Sequence, residues 1–283
     1  MKFYIVIPAH NEADVIESTL VSLLEQTLKP KKIIVVDDNS TDQTFNKVTQ
    51  LAKEHANLEV VKSNSNEQQH LPGAKVVRAF NAGLAYLDQD YDVICKFDAD
   101  LIFPNNYVQT LSQIFIQNPK CGIAGGFCYI QKGGQWVLEN LTNRDHIRGA
   151  LKAYRKSCFD QINGLTLAMG WDTIDEIKAK YNGWQVVTDQ SLIVKHLKPT
   201  GITYGKKSKY NQGIAFYRMR YRPLLTFLAA IKLAWRKKSS MYFINCIIGF
   251  CKALINKPSF LLSKEEGKFM RKMRFNSLKK QLI

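Results

Sequence analysis

Residues 91–104, YDVICKFDADLIFP, read as an apolar strand that ends on two carboxylates, Asp98 and Asp100, before a proline opens the next element. An apolar run without polar alternation is what a strand needs when helices cover both faces of its sheet. Three earlier runs share this character: residues 2–8 (KFYIVIP), 32–37 (KIIVVD) and 58–62 (LEVVK). Helical periodicity fills the gaps between them. Asn11 caps a helix striped by Val15, Ile16, Leu20, Leu23 and Leu24, and Thr41 opens another through Phe45, Val48 and Leu51. A third helix starts near Pro72 with Val76, Val77, Phe80 and Leu84 inward, and Phe103-Pro104 begins a fourth through Val108, Leu111 and Phe115. This alternation predicts an α/β fold whose strands are joined by crossover helices. Ligands of such sheets sit beyond the carboxyl ends of the strands. Three polar clusters fall at those ends: Pro8-Ala9-His10-Asn11-Glu12, Asp37-Asp38-Asn39-Ser40 and Asp98-Ala99-Asp100. After Gly125-Gly126 the pattern loosens into a helix near 173–181 and a strand near 184–194.

The chain of 283 residues is 46% hydrophobic, enough to bury a sizeable core and too apolar for a disordered tail. Its net charge of +16 lies in the C-terminal third, because Lys195 onward holds 21 of the 40 lysines and arginines but only Glu265 and Glu266 as acids. No nucleic-acid recognition motif accompanies that charge, so nucleic acid is not an expected partner. The N-terminus lacks the hydrophobic core and cleavage site of a secretory signal, and six cysteines form no CxxC pair. Both facts point to a cytoplasmic protein with free thiols. No GxGxxG follows the first strand, which argues against a dinucleotide oxidoreductase.

Two carboxylates at one strand end repel unless a cation compensates them. Mg²⁺ or Mn²⁺ held by one or two carboxylates keeps coordination positions open for phosphate oxygens, so Asp98 and Asp100 suit a bound diphosphate. With its neighbours, this motif resembles glycosyltransferase family 2, whose members have the GT-A nucleotide-diphospho-sugar transferase fold. The matching stretches are IPAHNEADVI (7–16), VVDDNSTDQT (35–44), GAKVVRAFNAGL (73–84) and KFDADLIFPNNYV (96–108). YRKSCFDQINGL (154–165) is similar to the acceptor-side segment of that family, and GWDTIDEIKAKYNGWQV (170–186) to the segment with its general base.

The resemblance implies a Rossmann-like mixed sheet flanked by helices, an inverting mechanism, a nucleotide-diphospho-sugar donor and a divalent cation, Mn²⁺ or Mg²⁺. It implies that Pro8, Ala9, Glu12 and Asp38 line the nucleoside pocket, with Lys75 and Arg78 near the diphosphate. Asp98 would serve nucleotide and metal, Asp100 the metal more directly, and His196 the metal or diphosphate. Asp172 takes the position of the base. Trp171, Ile174 and Ala179 depart from the family pattern around it, which leaves Asp175 and Glu176 as rival bases. Gly125-Gly126 and Asn163-Gly164 would let backbone approach donor or acceptor. The expected division is a catalytic domain over 1–204 and a basic helical extension over 205–283. Residues 224–236 and 241–255 are apolar but too short to span a bilayer, so they either pack on the catalytic domain or lie on an anionic membrane surface at the inner face. The expected acceptor is a saccharide or a lipid-linked sugar in surface polysaccharide or glycolipid synthesis. Two other readings remain: a nucleotidyltransferase on a similar scaffold, and an inactive membrane-surface adaptor that binds nucleotide-sugar.

Overall fold

A computed structural model describes residues 1–63, 73–139, 144–198 and 209–282. The four apolar runs form four parallel strands in it. β1 (Phe3–Ala9) lies between β2 (Lys32–Asp37) and β4 (Val93–Phe97), and β3 (Leu58–Lys62) flanks β2. Ile5, Val6, Ile7, Ile33 to Val36 and Val93 to Cys95 are fully buried, as two-sided covering demands. The covering helices are α1 (Ile16–Leu24), α2 (Thr44–Ala52) and α3 (Ala74–Leu84). A Cβ on Gly83 would come within 2.5 Å of Val6 and 2.7 Å of Val36, so α3 lies flat on β1 and β2 only because that position is glycine.

The chain continues through β5 (Leu101–Ile102), α4 (Tyr107–Gln117), β6 (Cys121–Lys132), β7 (Gln135–Leu138) and β8 (Leu151–Arg155). It then forms α5 (Lys156–Gln161), α6 (Trp171–Tyr181) and β9 (Gln185–His196). Among the described residues the strands make one sheet in the order β3-β2-β1-β4-β8-β6-β9-β5, with β7 paired to β6. β8 runs antiparallel to both β4 and β6, which makes the sheet mixed. Gly126 sits where β6 meets β9, and a Cβ there would lie 2.1 Å from the Leu192 carbonyl oxygen. Gly125-Gly126 therefore serves close packing inside the sheet rather than approach to a ligand. Asn163 (φ 58°) and Gly164 (φ 65°) form a left-handed turn after α5.

Several elements begin later than their sequence signals suggest. Asn11 does not cap α1; it adopts a left-handed backbone (φ 56°), and its Oδ1 accepts the Thr41 backbone N–H at 2.8 Å. This bond ties the loop after β1 to the loop after β2, so the two polar clusters form one rim. With Thr41 engaged there, α2 starts at Thr44, whose N–H is accepted by Asp42 at 2.9 Å. Phe103-Pro104 does not begin a helix either. The chain first forms β5, which pairs Leu101 with His196 and Ile102 with Lys195, and α4 begins at Tyr107. Pro72 and the expected domain boundary after residue 204 lie outside the described residues.

The basic region contains α7 (Asn211–Arg218), α8 (Pro223–Arg236), α9 (Ser240–Asn256) and α10 (Lys264–Leu282). A second apolar cluster joins Phe216, Met219, Leu225, Phe250 and Met270 to Ile174 and Ile177 of α6. Through α6 the C-terminal helices pack onto the preceding α/β part of the chain. No helix among the described residues is long and apolar enough to cross a membrane.

Candidate active site

The turn carrying Asp98 and Asp100 is pinned on both sides. The Thr19 hydroxyl donates to the Ala99 carbonyl (2.7 Å) and accepts the Leu101 N–H (3.0 Å), while the Asp98 N–H donates to the Ala150 carbonyl (2.8 Å). Asp98 keeps 36% of its side chain exposed and is paired with the buried ammonium of Lys96, which also lies over the Trp171 ring. Asp100 is nearly buried, with Oδ2 3.2 Å from His196 Nε2. The other imidazole nitrogen, Nδ1, lies 2.7 Å from Glu139, which is also paired with Arg148. Burial opposes charge on His196, but hydrogen bonds to Asp100 and Glu139 overcome it and raise its pKa to about 9. These two contacts favour the charged imidazole and fix His196 against Asp100, beside the position where the family resemblance expects metal or diphosphate.

Asp98 and Asp100 offer hard oxygen donors on a rigid turn, a set that fits Mg²⁺ or Mn²⁺. The half-buried Glu12 supports this fit. Burial first, and then the nearby charges of Asp100 and Asp98, raise its carboxyl above the usual range even though Lys198 pairs with it at 2.7 Å. The three acids therefore share a negative field that a cation would relieve. Cys128, Glu139 and His196 also bring ligand atoms within 4.8 Å of one another. Arg148 and Asp100 already compensate that buried group, and burial pushes the Cys128 thiol up to about 12, so it reads as the anchor of His196.

The rest of the rim lies at the carboxyl ends of β1 and β2. Ala9 and Asp38 are buried there, Pro8 and Glu12 are partly exposed, and the Asp38 N–H donates to the Ala9 carbonyl at 2.8 Å. Lys75, on the first turn of α3, places its ammonium 3.3 Å from Asp38 Oδ2, and Arg78 follows three residues along the same helix.

Asp172 stands on the first turn of α6, with 31% of its side chain exposed and Oδ2 3.5 Å from His146 Nε2. Burial alone would raise its pKa, but His146 and Lys152 hold it below the usual carboxylate range. The rival acids are in a different situation. Asp175 is fully buried between Lys152 Nζ (2.7 Å) and the Tyr154 hydroxyl, and Glu176 is buried against His146 Nδ1 (3.1 Å) and Lys152 (3.2 Å). Neither has a free face toward solvent. His146, left unassigned by the sequence, is held between Asp172 and Glu176; burial opposes its charge, yet the two carboxylates lift it to about 9.

Sequence reasoning missed Glu139, His146, Arg148 and Lys152. A signal existed for the lysines: Lys96 and Lys152 each interrupt an apolar strand, and a buried lysine needs a carboxylate nearby. The register places them directly opposite each other across β4 and β8. Like charges so placed repel. Lys96 is therefore matched by Asp98, and Lys152 by Asp175 and Glu176.

Asp98, Lys96, Asp172 and His146 line one cleft of about 740 Å³, whose other wall is built by α7, α8 and α10. A mixed sheet whose strand β4 leads into two carboxylates, with Asp98 lining such a cleft, is the arrangement of a GT-A glycosyltransferase. The chain belongs to glycosyl transferase family 2, whose profile matches residues 4–168. Among curated relatives, the Probable glycosyltransferase YdaM of Bacillus subtilis (strain 168) is 27% identical over 188 residues, covering 58% of this chain and 42% of that protein. The Dolichyl N-acetyl-alpha-D-glucosaminyl phosphate 3-beta-D-2,3-diacetamido-2,3-dideoxy-beta-D-glucuronosyltransferase of Methanococcus voltae is 32% identical over 127 residues, covering 43% of this chain and 37% of that protein. The chain thus spans less than half the length of either relative. The mannosyltransferase PcManGT of Pyrobaculum calidifontis, solved in complex with GDP-Man and Mn²⁺, shares the fold at a TM-score of 0.59, with 15% identity and coverage of 98% of this chain and 80% of that one.

Proposed function

We propose that this chain moves a sugar, with inversion, from a nucleotide-diphosphate donor to a hydroxyl of a saccharide or lipid-linked acceptor in surface polysaccharide or glycolipid assembly. The observation that carries the reading is the meeting of Asp98 and Asp172, far apart in sequence, on the wall of a single cleft. Asp172 takes the proton from the attacking hydroxyl, since it is the one acid of α6 whose carboxylate is both ionised and accessible. A divalent cation on Asp100 and Asp98 would neutralise charge on the departing diphosphate. Pro8, Ala9, Glu12 and Asp38 form the nucleoside pocket. Lys75, exposed on α3, exchanges Asp38 for a phosphate oxygen, with Arg78 beside it. The Mn²⁺ complex of the Pyrobaculum mannosyltransferase supports the cation, and the name of the Methanococcus relative supports a lipid-linked acceptor. Purified protein given Mn²⁺ and a panel of nucleotide-sugars is expected to release nucleoside diphosphate slowly, with water as acceptor. Release of pyrophosphate would instead make it a nucleotidyltransferase, and nucleotide binding with no release would make it an adaptor.

The same reading includes an anionic membrane surface. Leu224, Phe227, Ile231 and Trp235 repeat along one face of α8, and Trp235 is 81% exposed. Met241, Ile244 and Ile248 are exposed on α9, and Lys237 and Lys238 lie between the two helices. Apolar side chains with lysines at their border suit a lipid interface. Flotation with phosphatidylglycerol vesicles at low salt is expected to carry the protein upward, and Trp235→Asp to leave most of it behind. Equal flotation with neutral vesicles, or none with anionic ones, goes against the surface reading.

A further inference from the structure

α8 has a second face. Leu225, Leu228, Ala229, Lys232, Leu233 and Arg236 recur at helical spacing and line the catalytic cleft. This stripe is rotated about a third of a turn from the exposed Leu224–Trp235 face, and Leu228 borders both. The cleft-facing stripe is apolar at its start and cationic at its end. Arg274 of α10 lines the same space, and its Nε is buried with no hydrogen-bond partner among the described residues. Burial, followed by repulsion from Arg236 and Arg274, holds the Lys232 pKa below its usual value, with the Asp145 charge alone pulling the other way. Neither Lys232 nor Arg274 forms an ion pair within 4.0 Å among the described residues. Lys232 and Arg274 therefore face each other as like charges without an ion pair of their own among the described residues, and an anion entering the cleft would relieve that repulsion. A buried guanidinium N–H without an acceptor adds a desolvation cost that a phosphate oxygen would remove.

We propose that Lys232, Arg236 and Arg274 bind a phosphate group of the acceptor, whose apolar part lies along Leu225, Leu228 and Leu233. The acceptor class is then a phosphate-bearing amphiphile, not a neutral saccharide. This rests on the transferase reading above, which makes the cleft the place where acceptor and Asp172 meet. α8 and α10 present Lys232, Arg236 and Arg274 to the cleft, while the opposite wall carries the acids Asp98 and Asp172 together with Lys96, His146 and Arg148. Leu228 gives the apolar chain a route from the cleft to the lipid-facing side of α8.

Titration of the full chain with dodecyl phosphate below its micelle concentration, followed by calorimetry, tests this. Wild type is expected to bind it about tenfold or more tighter than inorganic phosphate and than dodecyl maltoside, because both charge and chain contribute. The triple variant Lys232→Gln, Arg236→Gln, Arg274→Gln is expected to lose about tenfold or more in affinity, and Lys232→Gln alone to lose part of it. A matched variant that removes the exposed Lys257, Lys268 and Lys272 outside the cleft is expected to bind as wild type does, which separates a built site from diffuse charge. Inorganic phosphate binding as tightly as dodecyl phosphate would replace the amphiphile with a soluble phosphosugar and overturn the lipid part. Equal affinity in wild type and triple variant, or equal loss in the matched variant, overturns the phosphate site. The transferase reading is scored separately, by release of nucleoside diphosphate from wild type without any acceptor.

Discussion

Asp172→Asn is expected to lower sugar transfer by about 10²–10⁴-fold, while nucleotide-sugar binding stays at the wild-type level. The carboxylate is on the first turn of α6, partly exposed to the cleft, and held in its ionised form by His146 and Lys152 against the effect of burial. Asn keeps the shape and loses the basicity. Its partners Asp175 and Glu176 cannot take over, since Lys152, Tyr154 and His146 occupy them. Because the Asp172 pKa lies below the usual range, the wild-type rate should not fall on the acid side until the pH drops below that of an ordinary aspartate, about 4. Wild-type-like turnover by the Asn variant, measured with binding checked by titration of the nucleotide, would remove Asp172 from the role.

Asp100→Asn is expected to reduce transfer by on the order of 10²-fold or more and to weaken Mn²⁺ binding, with EDTA abolishing the activity of the unaltered chain and Mn²⁺ restoring it. The argument is electrostatic. Burial lifts the Glu12 carboxyl and the charges of Asp100 and Asp98 add to it, while the cations nearest the three acids are Lys96, His196 and Lys198. Each of those side chains is already paired with a carboxylate of the protein. A full rate in EDTA, or an Asp100→Asn variant with unchanged metal affinity, would contradict the assignment of the cation to this turn.

The strands before Asp98 were legible because β1, β2 and β4 are mostly apolar runs that a doubly covered sheet buries, and the polar clusters at their ends located the rim. Asn11 was misread: an Asn before an apolar stripe signals a helix cap, but here its side chain serves a neighbouring loop that no local pattern reveals. β5 was illegible for a different reason. Two residues carry no periodicity, and Leu101-Ile102 becomes a strand only because β9 ends beside it. That pairing is what brings His196 to Asp100. The supports around the base share this property: His146, Lys152 and Glu176 meet through tertiary packing of β8 and α6, so their spacing in the chain follows no motif.

The most direct test of the account is anomalous diffraction from a crystal grown with Mn²⁺ and a nucleotide-diphospho-sugar. The predicted result is a manganese peak at roughly 2.0–2.4 Å from an Asp100 carboxylate oxygen, with Asp98 beside it, the diphosphate on the open positions, and Asp172 facing the sugar across the cleft. A donor bound elsewhere, with Asp98 and Asp100 turned to solvent and no metal between them and the phosphates, would contradict it.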